Sequence, residues 1–300
     1  METGKGILLE SGTNELEIVE FHIGPNKYGI NVIKVKEIIN PVKVVTIPHS
    51  HPHIEGIIEM RGEVLPVIDV AKALGFQGTP PNTLLEKFIV TEFNKQKIVF
   101  HVHKVSQIHR ISWQDIEKPS EMYNDGQIVG VVKINGEMCL LLDFEKIIVE
   151  INPDSGINVK EVKKLGPRNG SDKKLLVAED SPLLRKLLHD TLSEAGYQNV
   201  EFFENGADAF EYLDSLAAEG RNLTEEVQLI ITDVEMPKMD GHHFTKKVKE
   251  DSRMAKLPVI IFSSLITEDL LHKGKMVGAE EQISKPEISK LILAVDKHIL

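Results

Sequence analysis

The chain has one cysteine, Cys139, in 300 residues. A lone thiol in the apolar run MCLLLDF excludes a disulfide framework and a multi-cysteine zinc site, and it fits a reducing compartment. Positive charge is also scarce. Lys+Arg number 35 against 46 Asp+Glu, and the resulting formal charge of −11 repels polyanions, so nucleic acid is not an expected partner. No apolar run approaches the roughly 20 residues a membrane helix needs. The start, METGKGILLESGTNELEIVEF, lacks the charged region, apolar block and cleavage site of a secretory signal, and Glu2 after Met1 removes N-myristoylation. HExxH, GxSxG and P-loop patterns are missing, which leaves independent hydrolase or nucleotidase chemistry without support. The expectation is a cytoplasmic protein, not inserted in a bilayer and not an enzyme in its own right.

The length is about twice that of one ordinary domain, and 41% hydrophobic content can supply a core for each of two units. The break falls in NPDSGINVKEVKKLGPRNGSD, residues 152–172, where Gly, Pro, Asn and Ser concentrate. This predicts a first domain over 1–155, a linker over 156–172 and a second domain over 173–300. Between Lys160 and Lys174 six basic residues face Glu161 and Asp172, so a net +4 segment reads as a solvated spacer between two acidic bodies.

Before the break, short segments of period two (LEIVEFHI, KYGINVI, EVLPVIDV, EKFIVTEF, KIVFHVHKV, QIVGVVKI) predict a mostly antiparallel β fold, as small barrels or a sandwich. VKEIIN and VAKALG read as brief helical pieces. His49, His51 and His53 alternate, as do His101 and His103, but Pro48 and Pro52 break the first group and no acid stands at ligand spacing. Zinc is therefore not expected there.

After the break, the runs KLLVA, VQLIIT and LPVIIF alternate with segments of helical period, such as Leu183, Leu184, Leu187, Leu188 and Leu192. That alternation predicts βα units around a doubly wound parallel sheet. Each strand ends on a residue with chemical capacity: Glu179 and Asp180, then Asp233, then Ser263, then Lys285. Carboxyl ends of parallel strands converge on one crevice, so these five side chains are expected at one place. Three clustered carboxylates repel one another unless a cation sits among them, and an all-oxygen donor set suits Mg²⁺. A carboxylate can accept a phosphoryl group as an acyl phosphate, with a lysine and a hydroxyl stabilising its oxygens. Asp233, alone at its strand end, is the expected nucleophile.

LLVAEDSPLLRKLL, LIITDVEMPKMDGHHF, LPVIIFSS and GAEEQISKP, with 30 residues from Asp233 to Ser263 and 22 more to Lys285, resemble a response-regulator receiver domain of flavodoxin-like fold. The resemblance implies Asp233 as phospho-acceptor, Asp180 as a direct Mg²⁺ ligand, Glu179 acting through water and the Glu235 backbone carbonyl as a further ligand. It also implies Ser263 as switch hydroxyl, Lys285 as the phosphate-contacting base and a cis peptide before Pro286. Gln282 stands where receivers commonly carry an aromatic switch ring. About nine extra residues near LAAEGRNLTEEVQ read as a surface loop.

KYGINVIKVKEIIN, HPHIEGIIEMRGEVLPVIDVAKALG and CLLLDFEKIIV resemble a CheW-type coupling domain, a pair of small β-barrels bridging chemoreceptors to the histidine kinase CheA. This implies a receptor or kinase interface at Arg61, Val35 and Glu37. The two domains in this order are similar to CheV-type chemotaxis coupling proteins. The resemblance implies a cytoplasmic adaptor at chemoreceptor arrays whose receiver is phosphorylated in adaptation, with a phosphate sink or a constitutive scaffold as the alternatives.

Overall fold

The computed structural model describes residues 15–78, 82–94, 96–117, 119, 127–153, 160–166, 169–264, 266 and 268–300. The chain forms two units, Met1–Pro153 and Asp154–Leu300.

In the first unit, β1 (Glu15–Ile23), β2 (Asn26–Asn31), β8 (Lys104–Ser112), β9 (Ile128–Ile134) and β10 (Glu137–Leu142) form a sheet in the order β8-β1-β2-β10-β9. A second sheet, ordered β3-β6-β7-β5-β4, uses β3 (Val35–Ile39), β4 (Ile54–Met60), β5 (Glu63–Asp69), β6 (Lys87–Phe93) and β7 (Gln96–Val102). Each sheet is antiparallel apart from one parallel pairing, β2 with β10 and β5 with β7. α1 (Val70–Ala73) and α2 (Phe144–Ile151) each start from an aspartate cap, Asp69 and Asp143, whose side chain accepts from a main-chain N–H in the first turn. Phe21, Phe100 and Phe144 are fully buried in the core to which strands of both sheets contribute. VAKALG holds the helix expected of it, but VKEII is strand β3, paired with β6. Branched Val and Ile that meet a neighbouring strand favour extended backbone over an isolated turn of helix. Cys139 lies on β10, fully buried, and burial pushes its thiol up to about 12.

Several histidines of this unit meet carboxylates or main-chain groups. His109 Nε2 lies 2.8 Å from the buried Glu20, His53 N–H donates to His51 Nδ1 at 3.2 Å, and His101 Nδ1 is 2.7 Å from Glu55. Burial opposes charge on His101, but the Glu55 hydrogen bond and the charges of Glu55, Glu86 and Asp69 outweigh it and raise its pKa. A histidine raised on folding stabilises most below its unfolded pKa and loses that contribution as pH rises through the folded value. His101→Gln should therefore flatten the fall in first-unit stability from pH 6 to 8. Trp113, the only tryptophan, reports that unit in urea titrations.

In the second unit, β11 (Leu175–Ala178), β12 (Val200–Phe203), β13 (Leu229–Thr232), β14 (Val259–Ser263) and β15 (Glu281–Ser284) form an all-parallel sheet ordered β12-β11-β13-β14-β15. Its central strands are buried along their whole length, as unbroken apolar runs require. α4 (Pro182–Glu194) and α9 (Ile288–His298) supply Leu188, Leu192, Leu291, Ile292 and Val295 to one face. α5 (Gly206–Ala218) and α7 (Gly241–Glu250) supply Ala209, Leu213, Phe244 and Val248 to the other. The extra residues before β13 are more than a surface loop: they hold α6 (Leu223–Glu226), and Leu223 and Val227 are buried in the core. α8 (Glu268–Met276) lies between β14 and β15 in the chain. Within the stretch expected as linker, α3 (Lys160–Lys163) packs on α4 and α9.

Candidate functional site

Parallel pairing of β11, β13 and β14 brings their carboxyl ends level. Asp233 N–H donates to Ala178 O at 2.9 Å, so Asp233 sits beside the Glu179–Asp180 pair. Carboxylate oxygens of Glu179, Asp180 and Asp233 lie within 4.8 Å of one another, the only such ligand group among the described residues. Glu179 and Asp233 are buried, and Asp180 is half-buried beside them. Lys285, 4% exposed at the end of β15, reaches Asp233 Oδ2 at 2.7 Å and Glu179 Oε2 at 3.0 Å. Its main-chain N–H donates to Ser263 O at 3.2 Å, which places the buried Ser263 on the adjoining strand end.

The electrostatics of the cup follow from three acids sharing one ammonium. Burial pushes the Glu179 carboxyl up to about 7, with Lys285 opposing and Asp233 adding to the rise. Burial and the charges of Glu179 and Asp233 also raise Asp180 well above the usual carboxylate range. Glu235, two residues beyond Asp233, adds to that rise. Of the five residues expected at one place, Glu179, Asp180, Asp233 and Lys285 bring their side chains together around a surplus of negative charge lined by oxygen donors, with Ser263 on the adjoining strand end.

Two residues that the sequence reading did not single out hold this arrangement. Arg185, one turn into α4, donates from Nη1 to the carbonyls of Glu179 at 2.7 Å and Asp180 at 2.8 Å, fixing the loop that carries both acids. Its position five residues after Asp180 is the signal that could have found it. Gly241 opens α7 against the main chain of Asp233, where a Cβ would stand 1.8 Å from Asp233 O. Gly241→Ala should cost the second unit about 2–3 kcal/mol in a urea titration. Because it displaces Asp233, the substitution should also slow phosphoryl uptake roughly 100-fold, measured with a small phosphodonor.

One expectation changes. The peptide before Pro286 is trans, as are the other peptides among the described residues, not cis. The turn closes through Glu287 N–H to Ser284 O at 2.8 Å with the isomer an X–Pro bond favours by about 0.5–1 kcal/mol. Gln282, in place of an aromatic ring, donates from Nε2 to Leu271 O at 2.7 Å and packs on Gly274, where a Cβ would stand 2.1 Å from its Oε1. That oxygen is buried without a hydrogen-bond partner.

In the first unit, Arg61 and Gly62 both take positive φ, 52° and 81°, as the two-residue hairpin joining β4 to β5 requires. Arg61 Nη2 pairs with Glu37 Oε2 at 3.0 Å, tying this turn to β3 at the far edge of the sheet. Val35 is half-buried and packs on the core, so it contributes at least in part to folding.

Residues 17–152 match the CheW-like domain, and residues 175–296 match the response regulator receiver domain. The chemotaxis protein CheV3 of Helicobacter pylori is 34% identical over 300 residues, covering 95% of this chain and 94% of its own length. Two shorter relatives each cover part of the chain. Chemotaxis protein CheW of Rhizobium meliloti is 28% identical over 44% of this chain and 86% of its own length. Chemotaxis protein CheY1 of Helicobacter pylori is 38% identical over 38% of this chain and 85% of its own length. With two domain matches in this order and a likeness to CheV3 along nearly its whole length, the chain belongs to the CheV family of chemotaxis proteins.

Proposed function

We propose that the CheW-like unit couples chemoreceptors to the histidine kinase CheA, and that phosphorylation of Asp233 by that kinase resets the coupling in adaptation. The observation that carries this reading is Asp233 itself. It is a buried carboxylate at a central strand end, held by Lys285 and flanked by two further acids, on a chain whose other unit is of coupling type.

The reaction is transfer from a phosphohistidine. An Asp233 carboxylate oxygen attacks phosphorus, the P–N bond breaks as the P–O bond forms, and the departing imidazole takes up a proton. Lys285 Nζ, already 2.7 Å from Asp233 Oδ2, is placed to follow the new phosphoryl oxygens, and Ser263 stands on the neighbouring strand end as the hydroxyl that contacts them. The all-oxygen donor set and the raised carboxyls fit Mg²⁺, which Asp180, Asp233 and the Glu235 carbonyl would hold, with Glu179 acting through water. When bound, the ion supplies positive charge that neutralises the phosphoryl oxygens. The chain acts as a phosphoryl acceptor with at most self-dephosphorylation, not as an enzyme acting on other substrates.

In the first unit, Arg61 is 77% exposed at its turn beside Glu37, Val64 on β5 just after that turn is exposed, and so is Val45, bridged to Ile57 of β4. An arginine held in a fixed turn beside uncovered apolar side chains suits a protein interface, so Arg61, Glu37 and Val35 are assigned to the receptor and kinase contact. No helix among the described residues is long and apolar enough to cross a membrane, and the assigned location is cytoplasmic, with recruitment to receptor arrays. Incubating purified CheA, labelled phosphate donor and the full chain with Mg²⁺ tests the reading. Label on the peptide containing Asp233 supports it, and no transfer contradicts it.

A further inference from the structure

Residues 160–166 belong by composition to the joint, yet they pack as part of the receiver. α3 places Val162 at 1% exposure against the cluster built by Leu188 and Leu192 of α4 and Leu291, Ile292 and Val295 of α9, and Leu165 covers the same cluster. Ser289 Oγ, in the first turn of α9, donates to Glu161 O at 3.4 Å, and Lys163 Nζ lies 3.7 Å from Glu194 at the end of α4. Four residues of helix do not hold themselves in water. α3 therefore depends on the surface it covers, and changes in that surface act on it directly.

That surface is wired to the acidic cup at both helices. α4 leaves the loop of Glu179 and Asp180, whose carbonyls its Arg185 holds. α9 starts three residues after Lys285, and Ser289 is one turn beyond that lysine. We propose that residues 160–165 are a phosphorylation-sensitive latch, docked on α4 and α9 while Asp233 is free and loosened when Asp233 carries a phosphoryl group. The inference rests on reading Asp233 as the phospho-acceptor.

The direction follows from the present contacts. Lys285 is held by two carboxylates at 2.7 and 3.0 Å, and α3 fits α9 in that arrangement. A phosphoryl dianion on Asp233 offers Lys285 a stronger partner in a new position. The turn Ser284–Glu287 then moves with the lysine, and the start of α9 moves with the turn. The Ser289–Glu161 hydrogen bond is already long at 3.4 Å and is the first contact to part.

Release would change how far the two units can separate along the chain. With α3 docked, eight residues, 152–159, connect α2 to the receiver surface, a reach of about 30 Å at full extension. With α3 released, the next main-chain anchor among the described residues is Ser171, whose N–H donates to Gly196 O at 2.8 Å, so the maximum span from α2 rises to about 65 Å over nineteen residues, 152–170. A longer tether lowers the effective concentration of one unit near the other, which gives the receiver a route to alter coupling.

Hydrogen exchange on the full chain tests the latch, with Mg²⁺ and a small phosphodonor or with beryllofluoride as phosphoryl analogue. Peptides spanning 160–166 should exchange at least roughly fivefold faster in the modified protein. Unchanged exchange there, with the 284–287 turn altered and phosphoryl incorporated, overturns the latch alone. No incorporation overturns the phospho-acceptor reading and the latch with it. Reciprocity supplies a second arm. A contact that modification weakens must weaken modification in return, so Val162→Asp should tighten beryllofluoride binding roughly three- to tenfold. The milder Ser289→Ala, which leaves the core whole, should tighten it to a lesser degree. Unchanged or weaker binding in a folded Ser289→Ala protein contradicts the proposal.

Discussion

Asp233→Asn should abolish phosphoryl uptake from CheA, with labelled product falling to background. The substitution keeps the shape of the side chain and an oxygen that can accept from Lys285, but it removes the anionic nucleophile. The same substitution removes one of three mutually repelling carboxylates. Lys285 keeps Glu179 at 3.0 Å, so its charge stays paired, and without Mg²⁺ the relief of repulsion should stabilise the second unit by about 1 kcal/mol in urea, a gain that shrinks as Mg²⁺ is added to the wild type. Loss of uptake together with loss of stability would instead mean that the substitution had damaged the fold.

Lys285→Met should have the largest effect on stability. Removing one partner of a buried ion pair costs about 3–5 kcal/mol, and here Lys285 serves two acids, at 2.7 and 3.0 Å. The loss should be greatest near pH 8 and smaller near pH 6. Without the ammonium the acids rise further, and a carboxyl raised on folding destabilises above its unfolded pKa and less so as it takes up protons. Mg²⁺ should restore part of the loss by supplying the missing positive charge. Asp233 keeps its nucleophile in this variant, so phosphoryl uptake should be slowed by roughly 10–100-fold and not abolished, since one electrostatic stabiliser is gone. Urea titrations at both pH values, with and without Mg²⁺, measure the first effect, and transfer kinetics measure the second.

Much of the cup was legible because each central strand of the second unit is an unbroken apolar run ending on a polar residue, and parallel pairing makes such ends neighbours. Elements that depend on less local facts were not legible. The edge strand β12, VEFF, is half-buried along its length and mixes acid with aromatic, so it carries no periodic signal. VKEII is short enough to read as a turn of helix, and only its pairing with β6 makes it a strand. The grip of Arg185 on two carbonyls and the closeness of Gly241 to Asp233 are main-chain contacts, which residue type does not reveal. The joint is the clearest case. KEVKKLG is polar enough to read as a solvated spacer, and only the surface of α4 and α9 gives Val162 and Leu165 something to bury against.

The central claim, that phosphorylation of Asp233 resets coupling, is tested most directly by kinase activity in reconstituted chemoreceptor complexes containing either the wild type or Asp233→Asn. With both proteins bound to equal extent, the two activities should start together and diverge as phosphoryl accumulates on the wild type, the Asp233→Asn complex holding its initial level. Time courses that coincide while the wild type is visibly phosphorylated would contradict the account.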